Sequence, residues 1–202
     1  MAKYKIELCD DMNLWDTFVN ESPQGSVFNS INFLRTINDN NNYYFVKKGE
    51  EIVSAFTLIL DLNNLPVKTI PFVPYINNIM FSEKKSILSH KKISEEFKIT
   101  ELIINEVLTE FRQFHVINSP EFNDIRPFLW YNYHNSEKGV FKNKVHYTPI
   151  INLKNQDQDT LLSQLRSGRK QDIKKSSFLE VRESNDISVL NRLHEQTFNR
   201  QG

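Results

Sequence analysis

The sequence predicts an α/β chain of the mixed α+β kind, with one mixed sheet flanked by helices and a second unit beginning toward the C-terminal end. Three observations carry this expectation. Residues 43–47 and 51–60 are rich in β-branched and aromatic side chains and are joined at Lys48-Gly49-Glu50, the pattern of a β-hairpin. Residues 94–114 repeat their apolar positions at helical spacing, so that Ile99, Ile103, Val107, Phe111 and Phe114 share one face. Runs of the two kinds alternate along the chain instead of being segregated, which favours helices against a sheet over separate all-α and all-β parts.

From the N-terminus, residues 4–8 alternate as a short strand, and Asp10 or Asp11 can cap a helix over residues 12–21 that turns Leu14, Trp15, Phe18 and Val19 inward. Ser22-Pro23-Gln24-Gly25 ends it, a short helix follows over 31–37, and 38–42 is polar loop before the hairpin. Residues 63–66 turn the chain. Residues 68–81 predict a strand region interrupted by Pro71 and Pro74, so part of it must be an edge or a bulge. Residues 82–92, of mixed charge, predict an exposed linker. After the long helix, 115–118 predict a strand, 124–133 hold the aromatics Phe128, Trp130, Tyr131 and Tyr133, and 145–153 predict another strand. Residues 155–160 would cap a basic helix, 179–183 form a strand and 187–199 a helix with Leu190, Leu193 and Phe198 apolar. The expected domains are 1–153 and 154–202, the second only begun.

At 202 residues with 39% apolar content, including 15 Phe and 7 Tyr, the chain can bury a sizeable core. Its 25 basic and 25 acidic residues cancel, so whole-chain charge points to neither nucleic acid nor membrane, and any electrostatic function must be local. Cys9 is the single cysteine and cannot form an intramolecular disulfide, which fits a reducing compartment. The first residues lack the apolar stretch of a signal peptide, and no apolar run approaches the length of a membrane span. A cytoplasmic protein without an integral membrane segment is expected.

The local charge that stands out is in residues 161–175. On one continuous helix Leu161, Leu162, Leu165 and Ile173 share an arc, and Arg169 points into it, while Arg166, Lys170 and Lys174 lie to one side on a solvated face. A guanidinium directed at the body of a protein needs a partner. Asp172, three residues on, is the structural candidate; an anionic substrate group is the functional one. Gly168 could divide the helix and re-aim Arg169.

Familiar catalytic patterns are absent. The glycines at 25, 49, 139, 168 and 202 match neither phosphate-binding loop, the histidines at 90, 115, 134, 146 and 194 lack metal-ligand spacing, and no serine sits in a nucleophile elbow. His115 and His146 could act as general bases, although neither has an evident carboxylate to orient it, and a hydrogen-bonded structural ring is the plainer reading. Trp130 and its neighbours could stack on a sugar or base or serve in packing, and Tyr75 with Asn77 and Asn78 could line a cleft or make a polar turn.

Several patterns in sequence order resemble the FemAB and peptidoglycan-bridge branch of the GNAT-like acyltransferases. They are Trp15-x-x-Phe18 with Ser22-Pro23-x-Gly25-Ser26-Val27-Phe28-Asn29-Ser30 and Phe33-Leu34; the hairpin; Pro74-Tyr75-Ile76-Asn77; Asp124-Ile125-Arg126-Pro127-Phe128-Leu129-Trp130; and Tyr147-Thr148-Pro149-Ile150-Ile151-Asn152-Leu153 leading to Leu161, Leu165, Arg169 and Ile173. The resemblance implies two GNAT-like domains facing one another across a cleft, the first being 1–153 and the second begun at 154. It implies transfer of an acyl or aminoacyl group to an amine of a cell-surface polysaccharide or peptidoglycan precursor, with an acyl thioester or aminoacyl-tRNA as co-substrate. The partners would be a nucleotide-linked or lipid-linked sugar or peptide precursor and tRNA. By the same resemblance Arg169, with Arg166 and Lys170, would hold phosphates of the acceptor, a task that suits a guanidinium's paired donors. The acetyl-CoA turn of simple GNAT enzymes is missing, so no cofactor is expected to be bound in this segment, and no catalytic residue or metal ligand is identified. A different class stays open beside it: a non-catalytic module that holds an anionic glycan or nucleic acid through the basic segment and the aromatics near Trp130.

Overall fold

A computed structural model describes residues 4–71, 73–83, 88–147, 153–154 and 156–200. The chain divides into two compact units, Met1–Thr148 and Pro149–Gly202. In the first unit β1 (Tyr4–Leu8), β2 (Asn41–Lys48), β3 (Glu51–Ile59) and β4 (Ile79–Phe81) form one sheet in the order β1-β2-β3-β4. The fold is mixed α+β, as the sequence predicts, but every pairing among these strands is antiparallel, so the sheet itself is not mixed. The β2–β3 turn is two residues long, with Gly49 at φ 64, a left-handed conformation that glycine adopts without a Cβ penalty.

Helices cover both faces of this sheet. On one side α1 (Met12–Glu21) and α2 (Ile31–Ile37) bury Trp15, Phe18, Val19, Ile31 and Leu34 against Tyr43, Phe45, Ala55, Ile59 and Met80. On the other, α3 (Ser89–Phe111) buries Ile99, Ile103, Ile104 and Val107 against Val46, Phe56, Leu58, Ile79 and Phe81. The two covers explain why β3 has almost no polar side: a strand buried on both faces needs apolar residues at successive positions. A register shift between Val46 and Lys47 lets Val53 join the α3 side with Phe56 and Leu58 despite its opposite parity.

Local signals set the N-terminal helices. The Asp11 carboxylate accepts from the backbone N–H groups of Asn13 and Leu14, each at 3.0 Å, and so caps α1. Trp15, Phe18 and Val19 point inward as expected, but Leu14, off their arc, is exposed. α3 begins earlier than its apolar pattern, within the expected linker, whose residues 84–87 lie outside the described part. It stops at Arg112, left-handed at φ 56, so Phe114 enters the core from beyond the helix. The expected strand over 68–81 contracts to β4, because Pro71 and Pro74 have no N–H to donate and Asn77, at φ 53, breaks the extended run. The expected strand at 115–118 contributes a single bridge, Ile117 to Ile76.

α4 (Arg126–Trp130) seats Phe128 among Phe114, Phe122 and Phe141 at ring separations of 6.5, 6.1 and 5.2 Å.

The second unit contains α5 (Gln158–Ser163), α6 (Ser167–Lys175) and α7 (Ile187–Asn199), and no described residue in it is buried. Residues 145–147 and 179–183 are not strands. The rest of the expected strand at 145–153, residues 148–152, lies outside the described part, as does Asn155. The basic segment is not one helix: Arg166 is extended, at φ −60 and ψ 147, and caps α6 from outside. Leu161 and Ile173 therefore lie on different helices, and the common arc that would aim Arg169 at the protein body does not exist.

Candidate functional site

The first unit's most organised polar feature is the outer margin of β4. Its backbone N–H groups at Ile79 and Phe81 point away from β3 and find side-chain amides instead of another strand. Ile79 donates to the Asn118 Oδ1 at 3.0 Å and Phe81 to the Gln24 Oε1 at 2.9 Å. The Asn78 amide donates to the Gln24 carbonyl at 3.0 Å and to the Asn29 Oδ1 at 3.4 Å, while its oxygen accepts from the Ser119 N–H at 3.0 Å. Asn77 bridges the other way, accepting from the Ile59 N–H at 2.8 Å and donating to the His115 carbonyl at 2.7 Å. The Trp15 indole N–H closes the cluster with a 2.8 Å bond to the Asn29 carbonyl. Gln24, Asn29, Asn77 and Asn78 are all buried, and in a low-dielectric interior each satisfied amide holds its partners firmly. Gly25 sits in this turn because a Cβ there would stand 1.8 Å from the Val19 carbonyl oxygen.

Tyr75 lies at the margin of this cluster, half-buried, with its ring 5.9 Å from Phe28, which in turn meets Phe33 at 5.1 Å. Trp130 belongs to a different cluster. Its indole is 55% exposed, 5.6 Å from Phe97, and the Arg126 guanidinium stands 5.5 Å from both rings. Asp124 engages that guanidinium with both oxygens, at 2.8 and 2.6 Å, and the arginine holds the Asp124 carboxyl below its ordinary range. Arg126 is thus neutralised in place, and part of the indole stays open to solvent.

The other residues singled out in the sequence lie on or beside α6. Arg169 has a side chain 77% exposed and pairs with Asp172 at 3.3 Å, the structural partner that the spacing suggested. The expectation that it points inward is corrected by the break at Arg166. Lys170 donates to the Ser163 carbonyl at 2.9 Å, tying α6 back to α5. Arg166, Lys174 and Lys175 have no side-chain partner among the described residues, so α6 presents more cation than acid. Arg166, Arg169 and Lys170 share one short segment, whereas Tyr75 and Trp130 sit in separate aromatic clusters of the first unit.

A groove of about 370 Å³ opens between β1, the start of α1 and the hairpin, lined by Glu7, Cys9, Asp10, Asp11, Lys47 and Glu50. Burial and the adjacent carboxylates push the Cys9 thiol up, and the thiol donates to the Asp11 carbonyl at 3.2 Å, so it stays protonated and a poor nucleophile. Partial burial lowers the His115 pKa from its ordinary value, with Lys68 adding to the effect. Its known bond is through its backbone carbonyl, a scaffold role. Among the described residues no three His, Cys, Asp or Glu side chains are grouped to hold a metal ion, and no helix is long and apolar enough to cross a membrane.

The amides Gln24, Asn29, Asn78 and Asn118 were not singled out as a cluster by sequence reasoning. The one local hint is a pair of amides, Asn77 and Asn78, immediately before the apolar β4. Fold and site together define a mixed α+β protein whose first unit is a helix-covered antiparallel sheet and whose second carries an exposed cationic helix. Compared with protein-family models, with curated proteins and with solved structures, the chain matches none.

Proposed function

We propose that this chain is an N-acyl or aminoacyl transferase of the FemAB-like, GNAT-like kind, or a portion of one, acting in the cytoplasm on the amine of a cell-surface polysaccharide or peptidoglycan precursor. The observation that supports the reading is convergence: Trp15, Gly25 and Asn29 from the first pattern of that resemblance and Asn77 from a second, 48 or more residues further on, lie in or beside the buried amides next to β4. In such a reaction the acceptor amine attacks an activated carbonyl, a C–N bond forms, and the bond to the thiol sulfur or tRNA ester oxygen breaks. The protein's contribution is to position the two substrates and stabilise the developing oxyanion. Arg169, Arg166 and Lys170 would meet acceptor phosphates; the single contact to Asp172 leaves most of the Arg169 guanidinium free to exchange partners. Tyr75 and Trp130 would offer ring faces to the sugar.

A second reading, a non-catalytic holder of an anionic glycan or nucleic acid, is favoured by the excess of exposed cations on α6. Calorimetric titration of a uridine-diphosphate-linked muropeptide into wild-type and Arg169→Ala protein, at two salt concentrations, separates the two. The transferase reading expects saturable binding that weakens about tenfold or more in Arg169→Ala, equivalent to about 1.4 kcal/mol. Equal affinity for heparin and single-stranded nucleic acid, with a steep loss at higher salt, favours the holder. No binding of the muropeptide by well-folded wild-type protein would sink the acceptor site proposed on α6.

A further inference from the structure

The two edges of the sheet are treated differently. At β4 the outward N–H groups of Ile79 and Phe81 are taken up by Asn118 and Gln24. At β1, the other end of the strand order, nothing equivalent is present among the described residues. The N–H of Cys9 bonds to the Tyr43 carbonyl at 2.8 Å, which marks Cys9 and Tyr43 as a hydrogen-bonded pair of the antiparallel ladder. Such pairs alternate, so Glu7 and Lys5 also bond toward β2, while the backbone groups of Tyr4, Ile6 and Leu8 face outward. Lys5 has a side chain 73% exposed and Leu8 is 65% exposed, so the margin is open. An open edge with a row of unpaired groups is a template for another strand.

We infer that this strand is β1 of a second copy of the chain, paired antiparallel about a two-fold axis at Ile6, so that two four-stranded sheets join edge to edge. The charges choose the register. With Ile6 opposite Ile6 of the second copy, the outward-facing residues pair with one another, Tyr4 with Leu8 and Leu8 with Tyr4, and exposed Leu8 gains an aromatic neighbour. Lys5 then falls opposite Glu7 of the second copy, and Glu7 opposite its Lys5, at the closer, non-hydrogen-bonded positions. Moving the axis one residue toward the N-terminus sets Lys5 against Lys5. Moving it one residue the other way sets Glu7 against Glu7. Like charges directly opposed oppose pairing, so only the register about Ile6 combines the outward backbone groups with opposite charges. Within one copy Glu7 already gathers Lys5 at 2.6 Å and Lys47 at 2.7 Å, and a carboxylate with lone pairs to spare can accept from a third cation.

Sedimentation velocity of the full chain over a hundredfold range of concentration tests this. Wild-type protein is expected to be a reversible dimer. Lys5→Glu or Glu7→Lys alone should raise the dissociation constant about tenfold or more, since each sets like charges across the joint. An equimolar mixture of the two variants should recover dimerisation, because every cross-strand pair is then one acid against one base; the doubly exchanged protein should recover it as well. Leu8→Pro, which removes an outward N–H without touching the ladder to β2, should weaken the dimer and provides a second probe should Glu7→Lys not fold by circular dichroism. A chain that stays monomeric throughout, a dimer indifferent to these changes, or a mixture no tighter than its separate components would overturn the inference.

Discussion

At the scale of single residues, Asn77 shows how one side chain can serve conformation and bonding at once. Its φ of 53 is left-handed, which asparagine tolerates better than most residues, and its amide satisfies the Ile59 N–H and the His115 carbonyl in a fully buried setting. Asn77→Ala removes both bonds and leaves a Cβ in the left-handed conformation without the amide that makes it tolerable, so a loss of about 2–4 kcal/mol in urea unfolding is expected. Asn77→Gly removes the bonds but relieves the backbone, and should be milder by about 1 kcal/mol. Equal losses in the two variants would mean that the backbone conformation contributes nothing. Arg169 is the opposite case: its pairing with Asp172 is legible from spacing, and being exposed it contributes little to stability.

Among the elements, α3 carries an internal electrostatic conflict. Glu96 is buried beside the sheet, with Lys92 at 3.7 Å as its ion-pair partner and the carboxylates of Asp124 and Glu95 nearby. Burial raises its pKa above the ordinary value of 4.5, Lys92 opposing the shift and the two carboxylates adding to it. A carboxyl raised in the folded state binds its proton more tightly there than in the unfolded chain. Its ionisation therefore costs no stability below pH 4.5, progressively more as pH rises through the folded value, and the full amount above it. Glu96→Gln is expected to raise Tm by about 2–4 °C at pH 7, a gain that fades as the pH falls through the folded value and is gone below 4.5. A Tm difference independent of pH would remove the carboxyl's charge from the explanation. Glu7 on β1 has the reverse sign: hydrogen bonds from Lys47 and Lys5 lower its pKa to about 2, so what it contributes is present above 4.5 and lost as pH falls toward 2.

For the whole molecule, the decisive contrast is where side chains are buried. Residues 1–148 own two apolar clusters, one on each face of the sheet, whereas no described residue of 149–202 is buried. Short helices without a buried face are marginal in water. Expressed separately, 1–148 is expected to unfold in one cooperative transition by circular dichroism, and 149–202 to lose helicity gradually with temperature. A sharp transition from 149–202 alone would show a core that its side-chain exposure does not reveal. Ile187, Leu190, Leu193 and Phe198 form the apolar side of α7 and are all exposed, so the amphipathic period is present without a buried partner in the described residues.

The sequence by itself determined the elements whose signals are local. β1, α1, α2 and the hairpin follow from period-two or helical spacing, the cap at Asp11, the break at Ser22-Pro23 and the turn at Gly49, all of which act between near neighbours in the chain. Mixed α+β class follows from the same signals taken in order. Tertiary structure decided what depends on distant partners. β4 is short and pairs with no further strand among the described residues because Gln24 and Asn118, 57 and 39 residues away from the N–H groups they accept, occupy its outer edge. Which face an arginine occupies depends on whether a helix continues, and the extended backbone at Arg166 turned a predicted inward cation into a solvent-exposed one. Periodicity is written in the spacing of side chains, but the satisfaction of a buried N–H by an amide from elsewhere in the chain exists only once folding has brought the two together.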